Sequence, residues 1–407
     1  MTLTLTKGCF TQNLSRIIEL ENNLFFELLQ VALGNRDRLS KAPSAEEWEE
    51  IYAESERQAI TGILLHGIEK LPAEQRPAKV FLLQWIGVGE IVKQQNSLLN
   101  GRCKELTSNL SAAGLHPTIL KGQGIAQCYP ETLQKLRQPG DIDVYVDCGL
   151  RKALEFAESL GQKNVEWDYK HLHLKLWDDT EVEMHYHVEV LLNLWKNRKL
   201  QKWFAKHRDA IFSNHNLNDR SATTGDACQS KNLNGMVTPT VEFNVFYILL
   251  HIYRHFLYEG VGFRQIIDYY FVLKNLNENL NLRSTTTGDA CQSKNVNESY
   301  AYKAVDEFGM VRFAKGLMWV MQETLGMPRE WMLWEPDAKE GRYILEEVMT
   351  GGNFGHHDQR LTHGRGKWNT MKQVCKHNWH MISHYPADVI WAPVWFVWHK
   401  CWKLTRR

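Results

Sequence analysis

The chain has 407 residues, 43% hydrophobic and 23% charged, with a formal net charge of +1. This is an ordinary globular composition, long enough for two or three domains. The near-neutral balance excludes bulk attraction to nucleic acid or to a membrane surface, so any such binding needs a local patch.

In chain order, the N-terminus, MTLTLTKGCF, has no basic segment followed by an apolar run, so no signal peptide is expected. Ser44 opens SAEEWEEIYAESERQAITGILLHGI with Glu47 three residues on, the pattern of a capping box, and Trp48, Ile51, Tyr52, Ile60, Ile63 and Leu64 keep a helical stripe. A second long helix is expected over AKVFLLQWIGVGEIVKQQNSLLNGRCKELTSNLSAAG, ending at Gly114.

The pattern then changes. HPTILKGQGIAQCYP reads as a short strand, a glycine turn and a short helix, and DIDVYVD as a strand. RKALEFAESLG is a helix closed by Gly161, and HLHLKLWDDTEVEMHYHV is a hairpin turning at Asp178-Asp179-Thr180. Helical periodicity returns with VEFNVFYILLHIYRHFL and FRQIIDYYFVLKNL. Near the end, Trp391, Trp395, Trp398 and Trp402 form a stripe that suits a core or an interdomain seam better than a ligand platform. VIWAPVWFVW is too short to span a bilayer and contains Pro393.

Two further features carry no chemistry. TTGDACQSKN occurs identically at 223–232 and 286–295; both copies are expected as polar surface loops, because one duplicated decamer is no solenoid repeat. The histidine-rich GGNFGHHDQRLTHG at 351–364 lacks zinc-ligand spacing and reads as a loop. The eight cysteines are scattered with no CxxC, which fits reduced thiols in a cytoplasmic protein.

Chemistry concentrates in RQPGDIDVYVD. Side chains alternate along a strand, so Asp141 and Asp143 project from one face about 7 Å apart. Two like charges so close repel, and a divalent cation is the simplest group to sit between them. Upstream, ILKGQGIA places Lys121, Gly122 and Gln123 at a strand–turn–helix junction where backbone amides and glycines admit a phosphate. Arg137 adds a fork suited to phosphate oxygens. Downstream, TEVEMHYHV puts Glu181, Glu183, His185 and His187 on one strand face, offering a third carboxylate. Farther on, Arg264 and Asp268, four apart, are expected to pair along one helix.

The order LKG, Tyr129-Pro130, Arg137, Gly140-Asp141-Ile142-Asp143, Val182-Glu183-Met184-His185 resembles the nucleotidyltransferases of the DNA polymerase β-like superfamily. It is most similar to a bacterial branch labelled uncharacterised nucleotidyltransferase, and the likeness extends into HIYRHFLYEGVGFRQIIDYY. The resemblance implies an α+β protein in which a small mixed sheet with helices (114–215) lies between an N-terminal helical region (1–113) and a C-terminal one (216–407) carrying the two polar loops. It also implies Mg²⁺ or Mn²⁺ held by Asp141, Asp143 and Glu183. Lys121, Gly122, Gln123 and Arg137 would contact the nucleotide, and His185 would contact it, orient Glu183 or simply cover the sheet. Gln123 stands where the wider superfamily prefers Ser, and eighteen residues separate Gly122 from Asp141, a longer spacing than usual. The implied reaction moves a nucleoside monophosphate from an NTP to a hydroxyl of an unknown protein, small molecule or RNA, releasing pyrophosphate. An inactive nucleotide-binding regulator on the same fold and a metal-dependent phosphohydrolase are the alternatives.

Overall fold

A computed structural model describes residues 23–212, 236–287, 299–355 and 379–406. Both copies of TTGDACQSKN fall outside these residues except for the helical backbone at 286 and 287. Of the histidine-rich stretch only 351–355 is described. The described residues form an α+β structure: many helices and one four-stranded mixed sheet. None of the described helices is long and apolar enough to cross a membrane.

The N-terminal part is helical, as its periodicity requires. Ser44 caps the helix Ala45–Arg57 by a full capping box: its Oγ accepts from the Glu47 amide at 3.2 Å, and the Glu47 carboxylate accepts from the Ser44 amide at 2.8 Å. The expected single helix breaks, however. Ala59 adopts φ +55°, and a second helix runs Thr61–Lys70, so the apolar stripe is carried by two elements. The long helix Lys79–Ala112 follows as the sequence predicts.

The sheet has the order β1-β2-β4-β3, with β1 Pro117–Ile119, β2 Ile142–Val146, β3 His171–Trp177 and β4 Thr180–His185. β1 runs antiparallel to β2, β2 parallel to β4, and β3 and β4 form the expected hairpin. The helix Gly149–Ser159 makes the connection out of β2. Alternation gives the sheet two unlike faces. Ile142, Val144 and Val146, Leu172 and Leu174, Val182 and Met184 pack on Leu99, Cys103, Leu106 and Leu110 of the long helix and on Ala153, Phe156 and Ala157. The other face carries Asp143 and Tyr145, His171 and His173, Glu181, Glu183 and His185, because each is one residue out of step with the apolar set. A second and larger core joins the N-terminal helices to Val241–Tyr258, Phe263–Thr287 and the helices beyond, and it also takes in Leu120, Tyr129 and Tyr145.

The turn after β1 depends on its glycines. Gly122 sits at φ +50°, ψ −111°, a conformation that side chains strain. A Cβ on Gly124 would lie 2.5 Å from the Ile119 carbonyl oxygen, a backbone atom that cannot step aside. Gly124→Ala is therefore expected to cost roughly 1–3 kcal/mol through overpacking. The measure is a lower urea midpoint with unchanged m-value; an unmoved midpoint refutes it.

Candidate functional site

Register assembles the acidic face. Asp143 on β2 pairs with Glu183 on β4, and Glu183 pairs in turn with His173 on β3, while His185 lies between Tyr145 and His171. Asp141, two residues before Asp143, belongs to the same face. Asp141, Asp143 and Glu183 line one cavity of about 380 Å³, within the range of small-molecule sites. Glu181 is not part of that lining; it is largely exposed and pairs with His173 at 3.1 Å.

Two side chains hold the carboxylates, the Lys121 ammonium and the His185 imidazole. Lys121 Nζ lies 2.7 Å from Asp143 Oδ1. His185, fully buried, brings its Nε2 to 2.9 Å from Asp143 Oδ1 and 3.1 Å from Glu183 Oε2. Its other nitrogen, Nδ1, has no hydrogen-bond partner among the described residues. His185 thus lies behind the cavity wall and ties two carboxylates together.

These contacts divide the acids. The Asp143 charge, and then burial, push the Asp141 carboxyl up to about 6. Burial would raise Asp143 too, but Lys121 and the His185 hydrogen bond hold it well below the usual carboxylate range. Burial opposes charge on Glu183 as well, and its hydrogen bond to His185 keeps the carboxyl below its ordinary value. Burial disfavours the Lys121 ammonium, yet Asp143, Asp141 and Glu183 raise its pKa above that of an ordinary lysine. Asp141 makes no direct ion pair among the described residues, and Lys121 and Arg264 offset its raised pKa only in part; a divalent ion would relieve the remaining repulsion. Ligand atoms of Asp143, Glu183 and His185 lie within 4.8 Å of one another, as do those of His171, His173 and Glu183, and either group could hold a metal ion; Asp141 is in neither group but lines the same cavity as Asp143 and Glu183.

The glycine turn places Gly122 and Lys121 in the cavity lining, but Gln123 is placed elsewhere. Its side chain is buried against the long helix, donating to Asn100 Oδ1 at 2.7 Å, so it packs the turn and is not part of the cavity lining. Arg137 does line the cavity, with its guanidinium committed to an ion pair. Its guanidinium grips Asp268 by two bonds of 2.7 and 2.8 Å, and the Tyr129 hydroxyl donates to the same carboxylate at 2.6 Å. This corrects the expected Arg264–Asp268 pair, since the buried fork of Arg137 outcompetes the helical neighbour. Arg264 is left without a carboxylate among the described residues. Its Nη1 reaches only the Pro139 carbonyl at 3.4 Å, and its Nε has no partner. Burial, and then Arg137, bring its pKa down to about 10, so it stays charged at neutral pH.

The helical side of the cavity brings, besides His255, residues that sequence reasoning did not single out. Fully buried Glu189 gathers His251 at 3.0 Å, Arg254 at 3.3 Å and Lys170 at 3.7 Å. His255 reaches Glu259 at 2.6 Å. A signal was present: His251, Arg254 and His255 at i, i+3 and i+4 share one face of an otherwise apolar helix.

Asp268→Asn leaves the buried Arg137 charge uncompensated, and the expected loss is about 3–5 kcal/mol of stability; urea unfolding checks it, and a loss below about 1 kcal/mol speaks against the pair as a brace. With Asp141 protonated below about pH 6, a cation must displace that proton. Mn²⁺ affinity is then expected to fall about tenfold per pH unit below that point and to level off above it. Calorimetric titrations from pH 5 to pH 8 decide this, and a flat profile refutes it.

Residues 44–296 match the model of a family described as "Uncharacterised nucleotidyltransferase". The match holds all three carboxylates, the glycine turn and Arg264, and it ends before the C-terminal helices. No curated protein and no solved structure matches the chain. With well over half of its residues inside the family match, the chain belongs to the uncharacterised nucleotidyltransferases, a family whose name implies a nucleoside triphosphate as substrate.

Proposed function

We propose that this protein transfers a nucleoside monophosphate from an NTP to a hydroxyl acceptor and releases pyrophosphate, using divalent cations. The observation that carries this reading is the meeting of Asp141, Asp143 and Glu183 in one cavity with Lys121 and the carboxylate-free Arg264. Asp141, Asp143 and Glu183 would hold Mg²⁺ or Mn²⁺, which neutralises phosphate charge and makes an attacking hydroxyl more acidic.

The chain's own residues supply the rest. The acceptor oxygen forms a bond to the α-phosphorus while the bond from that phosphorus to the bridging oxygen breaks, and the electron pair leaves with pyrophosphate. A carboxylate oxygen of Glu183 would take the hydroxyl proton. Lys121, kept charged by the three acids, and Arg264, free of an ion pair, would bind the phosphate oxygens where negative charge accumulates. Arg137, held by Asp268 and Tyr129, would act by fixing the turn that carries Gly140 and Asp141. The 114–215 segment would then be the catalytic unit, with the helices from 241 onward as its phosphate wall.

The test is calorimetric binding of each NTP, with and without Mg²⁺, to the wild type, to Asp141→Asn/Asp143→Asn and to Arg264→Met. Expected are Mg²⁺-dependent binding in the wild type, its loss in the double variant, and a roughly tenfold or greater weakening in Arg264→Met from the lost charged contact. Indifference of wild type and double variant alike to every nucleotide sinks the reading. NTP turnover without any acceptor would select the phosphohydrolase instead.

A further inference from the structure

A nucleoside triphosphate has two unlike ends, and so does the cavity lining. The acidic sheet face, Lys121 and Arg264 suit a metal-bound triphosphate. The aromatic groups on the lining are Tyr169, Phe354 and Trp395, with His399 beside them. Phe354, Trp395 and His399 all lie beyond residue 296, outside the family match.

The helix Trp391–Leu404 is anchored where it meets the sheet domain. Tyr169 stands edge-on to Trp395, Trp398 and Trp402 at 5.4, 5.1 and 5.0 Å. Trp402 packs edge-on against Trp167 at 5.8 Å, and Lys403 Nζ donates to the Trp167 carbonyl at 2.6 Å. This seam fixes Trp395 at the cavity. His399, one turn on, holds its ring within 16° of parallel to Trp395. Its Nε2 is buried and has no hydrogen-bond partner among the described residues. Burial lowers the His399 pKa, keeping the imidazole neutral at physiological pH. A buried polar atom without a partner is costly, and a ligand edge that satisfies it is favoured.

Building on the nucleotidyl-transfer reading, we propose that Trp395 and His399 form the nucleobase subsite: the base stacks on the Trp395 indole, and His399 Nε2 makes one hydrogen bond to its edge. Stacking tolerates every base, because each has a π-face, whereas the single bond discriminates among them. The choice of nucleotide is then made by a helix added outside the family's common segment.

The test compares two probes on the full-length protein by calorimetry: each of the four Mg²⁺–NTPs, and Mg²⁺–tripolyphosphate, which has no base. Trp395→Ala is expected to weaken every NTP roughly tenfold while leaving tripolyphosphate unchanged, and Trp395→Phe to restore most of the loss. His399→Ala is expected to narrow the differences among the four NTPs. If tripolyphosphate binds the wild type as tightly as the NTPs, or Trp395→Ala weakens both probes equally or neither, the subsite is overturned while the phosphate site stands. If the wild type binds neither probe, the subsite falls together with the nucleotidyl-transfer reading.

Discussion

The repulsion among Asp141, Asp143 and Glu183 is the constraint around which the site is arranged. Three carboxylates on one sheet face, each largely removed from water, cannot all stay ionised without nearby positive charge. Lys121 supplies it beside Asp143, His185 hydrogen-bonds to Asp143 and Glu183, and Asp141 takes up the remaining strain as a raised pKa. Lys121 follows β1 by two residues, next to Leu120, whose amide donates to the Asp143 carbonyl at 3.0 Å. The residue that balances Asp143 is thus placed by a backbone bond to Asp143 itself.

Around this centre the structure spends buried charge on bracing. Arg137, Asp268 and Tyr129 join the segment before β2 to the helix Phe263–Thr287, and Glu189 with Lys170, His251 and Arg254 joins the segment after β4 to Val241–Tyr258. Each network sets one helix against the sheet. Such pairs add little net stability compared with apolar packing, but they tolerate only one arrangement. Arg264 differs by lacking a carboxylate ion pair among the described residues, on a wall where Arg137 and Arg254 have one; its guanidinium lies over the Phe354 ring at 5.2 Å instead.

Strand alternation made the acidic face legible in advance: Asp141 and Asp143 had to project together, and the hairpin had to return Glu183 beside His185. The glycine turn, the long helix and its end near Gly114 were equally readable, because they depend on local rules. Pairing across the fold was not readable. Local spacing offered Arg264 for Asp268, and tertiary approach delivered Arg137 from more than a hundred residues away. Gln123 looked like a phosphate neighbour by position, yet the packing of the long helix turned it to Asn100. The tryptophan stripe read as a seam and does pack as one against Tyr169 and Trp167; that Trp395 also reaches the cavity depends on the distance from a sheet two hundred residues earlier.

The two-faced sheet has a consequence for how such a protein can change. Sliding β4 by one residue against β2 would bury Glu183 among Leu106, Val144 and Leu174 and turn Val182 and Met184 toward the cavity. The greasy side of the sheet therefore proofreads the charged side: any misalignment that spoils the chemistry is rejected first as a folding error. Inheritance can swap one side chain of the acidic row for another, but it cannot shift the row.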